Sequence, residues 1–353
     1  MSNMLPVLVE VSRGAIVESR HRGAIVLADP GGKVLASIGD ADLISSTRSA
    51  IKPIQALPII TSGAAERFGL TGRELAAACA SHEGELIHTE TVAGMLARVG
   101  LDETALRCGA HAPFSADRAV ELERDGLAFN QLHNNCSGKH AGMLMTAAHR
   151  GLSLDDYVSV EHPVQREIVK TFARLGDLDE NLPTAIDGCS APTFGVPLRS
   201  LAVAFARLVN CAGERQAPAA LDGDLAGAAN RAVRAMIEYP EMIGGTKGRF
   251  DTELLRASHG KLVCKVGAEA VYAVGVLPCE KFPRGLGLAF KMEDGSYRGL
   301  GPAVVEALVQ LGVLDEAESA RLASFHHPIL ENRRGLGVGS VRAVFELRFN
   351  ERQ

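Results

Sequence analysis

The sequence has no tryptophan, and aromatic residues make up only 5% of its 353 positions. So sparse a supply argues against the base-stacking platforms that single-stranded nucleic acid needs. An excess of positive charge is missing as well: Lys+Arg total 37 against Asp+Glu 42, for a formal net charge of -5. That balance creates no overall field for nucleic acid or an anionic membrane. No stretch is apolar enough to span a bilayer. The opening MSNMLPVLVEVSRG lacks the basic, apolar, small-residue order of a secretory signal. A disulfide framework is absent too, because the cysteines (Cys79, Cys108, Cys136, Cys189, Cys211, Cys264 and Cys279) are odd in number and scattered. They fit a reducing cytoplasm, and the chain reads as a soluble cytoplasmic protein with neither nucleic acid nor membrane as partner.

What is present is an ordinary globular composition, 46% hydrophobic and 22% charged, in a chain long enough for a substantial core. The first forty residues read as strands (VLVEVS, GAIVLAD and KVLASIG), with Asp29-Pro30-Gly31-Gly32 as a hairpin turn between the last two. From about 48 to 235 the pattern is mostly helical, as in Thr89–Val99 and Leu198–Val209. Strand-like runs return in KLVCKVG, AVYAVGVL and GLGLAFKM, with Glu293-Asp294-Gly295 as a second hairpin turn. GPAVVEALVQLGVL predicts a helix opened by Pro302 at its first position, and VRAVFELRF a closing strand. The expected architecture is α+β. One unit over 1–353 would have a sheet lobe from about 1–47 and 245–353 and a helical lobe from about 48–244.

Chemistry concentrates in short blocks. In Ser45-Ser46-Thr47-Arg48-Ser49-Ala50-Ile51-Lys52-Pro53, Ser49 and Lys52 are three residues apart, so a helical turn puts both on one face. A neutral amine there can take the proton of an otherwise weak serine nucleophile. The tetrapeptide alone also fits a solvated serine and lysine. Cys79-Ala80-Ser81-His82-Glu83-Gly84-Glu85 sets a second serine beside His and Glu after an apolar run, although Ser81 also fits a plain helix cap. His133-Asn134-Asn135-Cys136-Ser137-Gly138-Lys139-His140 forms a polar knot ahead of an apolar helix. Asp187-Gly188-Cys189-Ser190-Ala191-Pro192 reads as a polar turn before a helical run. Cys136 and His140 have helical ligand spacing, and Cys189 offers a third thiolate donor for zinc; two buried free thiols fit equally well. Gly335-Leu336-Gly337-Val338-Gly339 has no following βαβ unit and is not a dinucleotide loop. Gly244–Thr252 lacks P-loop spacing and reads as a flexible loop rimming the active site. Lys265 stands out as a lone cation in an apolar strand, which needs a partner or a lowered pKa if buried.

Taken together, TRSAIKPIQALP, ACASHEGE, NNCSGKHAGML, DGCSAPTFGVPL, GGTKGRFDTELL and CKVGAEAVYAVGV resemble the rhizobial-type, or class 3, L-asparaginases of the asparaginase II family, over nearly the whole chain. The resemblance implies a serine β-lactamase-like, penicillin-binding-protein-like fold and a homodimer that hydrolyses L-asparagine to L-aspartate and ammonia. It implies two Ser–Lys tandems, Ser49 with Lys52 and Ser81 with Lys265. It also implies a zinc ion on Cys136, Lys139 and Cys189, although residue chemistry alone favours His140 over Lys139. Arg48, Glu83, Asn134, His140 and Asp187 fall at substrate-pocket positions. Either serine is open as the acylated nucleophile. The alternatives are another serine β-lactamase-like amidase or esterase, and a zinc-dependent amidohydrolase.

Overall fold

The computed structural model describes residues 4–212 and 223–350. The N-terminal β-branched runs form β1 (Val7–Arg13), β2 (Ile16–Ala28) and β3 (Val34–Ile38). Three short strands lie in the middle of the chain: β4 (Ile44–Ser46), β5 (Thr184–Ile186) and β6 (Pro192–Pro197). The C-terminal part contributes β7 (Leu262–Gly267), β8 (Val271–Val276), β9 (Leu286–Met292), β10 (Ile329–Glu331) and β11 (Gly337–Ala343). Strands from both ends join in one antiparallel sheet of order β10-β11-β1-β2-β9-β8-β7, with β3 also on β2. The ends interlock twice, through β1 on β11 (Val9 opposite Ala343) and β2 on β9 (Ile25 opposite Phe290). The protein is therefore α+β, with a sheet built from both termini.

Every residue of β8 is buried, which explains why VYAVGV reads as an unbroken apolar run: both of its faces are covered. One cover is the helix Leu198–Asn210, which crosses β9, β8 and β2. Gly275 and Gly287 are cross-strand partners beneath it. A Cβ at Gly287 would stand 1.8 Å from the carbonyl oxygen of Ala202, and one at Gly275 2.4 Å from a Val209 methyl. The helix thus packs almost backbone to backbone, a contact that only glycine permits. A second helix, Leu300–Gln310, packs on β11, β1 and β9.

Four local expectations change. Glu293-Asp294-Gly295 is a turn but not a hairpin, since the chain leaves β9 for the helix Leu300–Gln310; Asp294 instead faces His21 at 2.6 Å. Pro302 is the third residue of that helix, not the first. The closing strand ends at Ala343. Beyond it the chain makes separate backbone bonds, from Val344 to Leu8 and from Asn350 to Leu35. The helical middle also holds a separate sheet of order β4-β6-β5, and the Asp187 turn leads into β6 before the next helix. These strands are three to six residues long, too short for periodicity to mark.

Candidate active site

The β4–β6–β5 sheet holds the turn that presents Ser49. Thr47, just past β4, donates its backbone N–H to Phe194 of β6 at 2.8 Å. The next residue, Arg48, is forced to a φ of 45°, an uncommon conformation for a non-glycine residue. Its N–H is held by Thr193 Oγ1 at 3.0 Å, and its guanidinium grips Asp187 at 2.8 Å. From this pinned residue the chain winds through a tight turn, Arg48–Ile51, into the helical turn Lys52–Gln55, with Pro53 near its start. Ser49 is thereby presented half-buried to solvent. Among the described residues no side chain hydrogen-bonds its hydroxyl.

Lys52 is completely buried. Its Nζ donates to the carbonyls of Ala80 (2.6 Å) and Asn135 (3.2 Å) and to Ser81 Oγ (3.0 Å). The lysine three residues from Ser49 is thus joined to the other serine, 29 positions along the chain. Ser81 is itself fixed from the opposite side, its N–H bonded to the Ile243 carbonyl at 3.0 Å. Lys265 of β7 is equally buried and reaches Asp251 Oδ2 at 3.3 Å and the Val266 carbonyl at 2.9 Å. Burial pushes its pKa down to about 8 against the opposing pull of Asp251, with Lys52 and Arg249 adding to the fall. β7 runs hard against the Ser49 turn. A Cβ on Gly267 would meet Val271 at 2.3 Å, the Thr47 carbonyl at 3.0 Å and the Ala50 nitrogen at 3.1 Å.

Ser49 and Ser81 share the wall of a cavity of about 650 Å³, together with Asn135, Arg249, Asp251 and Gly267. Glu83 stands behind the rim, 3.6 Å from Arg249, its pKa raised by burial although Arg249 opposes the shift. Arg249 ends the Gly244–Arg249 loop, so that loop does border the cavity. Asn134 does not line it. Its side chain holds the carbonyls of Cys108 and Gly109 and the N–H of Cys136, and so shapes the loop that carries the cysteine.

Beside the cavity lies a thiol pocket. Cys136 caps the helix Ser137–His149, whose first turn carries Lys139 and His140. A tight turn from β5 to β6, with Ser190 at a φ of 67°, brings Cys189 to meet them. Lys139 Nζ donates to Cys189 Sγ at 3.1 Å. The Cys136 thiol pushes the Cys189 pKa far down, against burial and with help from Lys139 and His140, while Cys136 itself is raised by Cys189 and by burial. Burial would lower Lys139, but the two sulfurs outweigh it and hold the ammonium above its ordinary value. His140 Nδ1 is fixed by the Tyr157 hydroxyl at 2.7 Å, and its buried Nε2 has no hydrogen-bond partner among the described residues. Two sulfurs and an orphaned imidazole nitrogen are donors of the kind zinc takes, and Lys139 would join them only after losing the proton that the sulfurs hold on it. Sequence reasoning passed over two residues here. Asn135 couples the regions, its carbonyl on Lys52 and its side-chain oxygen 3.4 Å from Cys136 Sγ. Asp251 anchors Lys265. Both sit inside the quoted motifs, and only their type and neighbours marked them.

A family model described as L-asparaginase II matches residues 9–343. No match to a curated protein is significant. Among solved structures, a probable glutaminase from Bacillus subtilis complexed with 6-diazo-5-oxo-L-norleucine overlays with 12% identity and a TM-score of 0.39, covering 83% of this chain and 84% of its own. A structure named Mglu has 15% identity and a TM-score of 0.34, covering 88% of this chain and 72% of its own. These overlays are loose, and the fold description rests on the strand order given above. The family match spans almost every element that builds the two pockets: the chain belongs to the L-asparaginase II family and is a hydrolase of linear amides.

Proposed function

We propose that the protein cleaves the side-chain amide of L-asparagine, releasing L-aspartate and ammonia, on a serine β-lactamase-like fold. The observation that carries this reading is the 3.0 Å bond between buried Lys52 and Ser81, on a cavity wall shared with the uncommitted hydroxyl of Ser49. Ser49 Oγ attacks the amide carbon as Lys52, giving up one of the three hydrogen bonds it donates, takes the hydroxyl proton. Backbone N–H groups around the nucleophile stabilise the oxyanion. The C–N bond then breaks as the proton passes from Lys52 through Ser81 to the leaving nitrogen, which departs as ammonia. Water retraces the path: it gives a proton to Lys52, cleaves the aspartyl ester and restores Ser49. Lys265, paired with Asp251, maintains a cation beside this relay. Arg48 and Asp187 are paired with each other outside the residues that line the cavity, and would have to part to meet the α-carboxylate and α-amino groups of an amino-acid substrate.

A second reading makes Ser81 the nucleophile, and its direct bond to Lys52 favours it. Mass spectrometry of protein quenched with an electrophilic asparagine analogue separates the two. A label on Ser49, absent from Ser49→Ala, supports the first reading; a label on Ser81 replaces it with the second, and no label with no ammonia release defeats both.

Cys136 and Cys189 would hold zinc, with Lys139 or His140 as third donor. Bound there, zinc would supply a fixed positive charge that polarises or orients a substrate group. Lys139 already provides a charge of that sign to Cys189. The same reading takes the working unit to be a cytoplasmic homodimer, whose assembly sedimentation velocity checks.

A further inference from the structure

Another group of metal-binding side chains lies apart from both pockets, where the helix Leu300–Gln310 meets the short helix Ala323–His326. Glu306 comes from the first; His326 ends the second, and His327 follows it. One ligand atom from each lies within 4.8 Å of the others. His326 Nε2 is 2.8 Å from Glu306 Oε2, and the two imidazoles stack with centroids 3.7 Å apart. Consecutive side chains ordinarily diverge. Here the helix breaks at His327, whose φ of -131° and ψ of 63° bring its ring over that of His326. Gln310 donates to the other Glu306 oxygen at 2.8 Å, fixing the carboxylate with Oε2 turned to the imidazoles. Outer hydrogen bonds of this kind orient metal ligands.

We propose that Glu306, His326 and His327 form a binding site for a divalent transition-metal ion of the class that imidazole and carboxylate donors prefer, such as nickel or zinc. In a tetrahedral site with bonds of about 2.1 Å, donors stand roughly 3.4 Å apart. The Glu306–His326 separation of 2.8 Å is shorter than that and the other pairs lie within 4.8 Å, and the exposed His327 ring supplies the adjustment. Three protein donors leave further positions to water. The role is therefore a clamp between two helices. Ser324, Phe325 and Pro328, which flank the histidine pair in the chain, line the serine cavity, so an ion here would stiffen that wall.

The test is nickel binding by the full chain, measured calorimetrically for the parent, His327→Ala and Glu306→Gln, with nickel-dependent melting alongside. His327 is exposed, so its removal costs only the stacking on His326 and leaves the core intact. The expected result is loss of one nickel equivalent, or at least roughly tenfold weaker binding at one class of site, in both variants. The nickel-induced rise in Tm should shrink with it. Nickel captured by Cys136 and Cys189 persists in both variants and so does not imitate the effect. Equal stoichiometry and affinity in all three proteins, or no nickel binding by the parent, overturns the proposal.

Discussion

The serine cavity and the thiol pocket are both backed by buried lysines, and Lys265 at the one and Lys139 at the other are driven in opposite directions. Burial alone lowers both. Lys139 faces the sulfurs of Cys189 and Cys136 and is carried above its ordinary value. Lys265 has one carboxylate at 3.3 Å, but Lys52 and Arg249 reinforce its burial, and it falls to about 8. Lys265, beside the cavity, is therefore held as a cation less firmly than Lys139 in the thiol pocket. A residue type recurring in a family motif does not state its role; its neighbours do.

The largest effect that sharpens this contrast belongs to the cavity. Ser49→Ala should cut ammonia release from asparagine by about a thousandfold or more, because no covalent intermediate then forms. Near-parental turnover in that variant would remove Ser49 from the chemistry and leave Ser81 as the nucleophile. Changes in the thiol pocket should cost less. Cys189→Ser should abolish tight zinc binding, measured by equilibrium dialysis, and chelation of the parent should lower turnover by about 10–100-fold. Under chelation, labelling of the serine by an electrophilic analogue should survive. If chelation eliminates labelling as well, the two pockets are one machine and the contrast fails.

A smaller effect is expected where the halves touch. Gly267→Ala puts a methyl between β7 and the Ser49 turn, against backbone atoms at 3.0 and 3.1 Å. Overpacking of this kind costs about 1–3 kcal/mol, read as a lower denaturation midpoint. Activity should fall with it, because the strand carrying Lys265 is pushed from the turn carrying Ser49. Full stability with full activity would show that the contact does not position the site.

How much of this was legible in the sequence divides along range. The outer strands, the Leu198–Asn210 helix and the blocks containing Ser49, Ser81, Cys136 and Cys189 announce themselves by local pattern. A spacing rule, however, sees only neighbours along the chain. It pairs Ser49 with Lys52 and is blind to the 3.0 Å bond joining Lys52 to Ser81. It also found no partner for Lys265 in Asp251, because β7 and the helix Phe250–Ala257 meet only in the folded chain. The β4–β6–β5 sheet escaped for another reason: its strands are too short to show a period, yet through Thr47 and Thr193 they hold the turn that presents Ser49.

The subtlest test acts on the Lys265–Asp251 pair itself. Asp251 opposes the fall of the Lys265 pKa, so Asp251→Asn should carry it below about 8, by about one pH unit or more. The sign of the stability effect follows. A lysine whose folded pKa lies below its unfolded value binds fewer protons in the native state, so the parent gains stability as pH rises from about 8 towards the ordinary lysine value of 10.5. Below that window the uncompensated burial costs about 3 kcal/mol. In Asp251→Asn the window should open at lower pH and the cost beneath it should grow, seen as a steeper rise of the urea midpoint between neutral and alkaline pH. An unchanged profile would mean that the carboxylate contributes nothing to the charge on Lys265. The opposite shifts of the two buried amines would then need another cause.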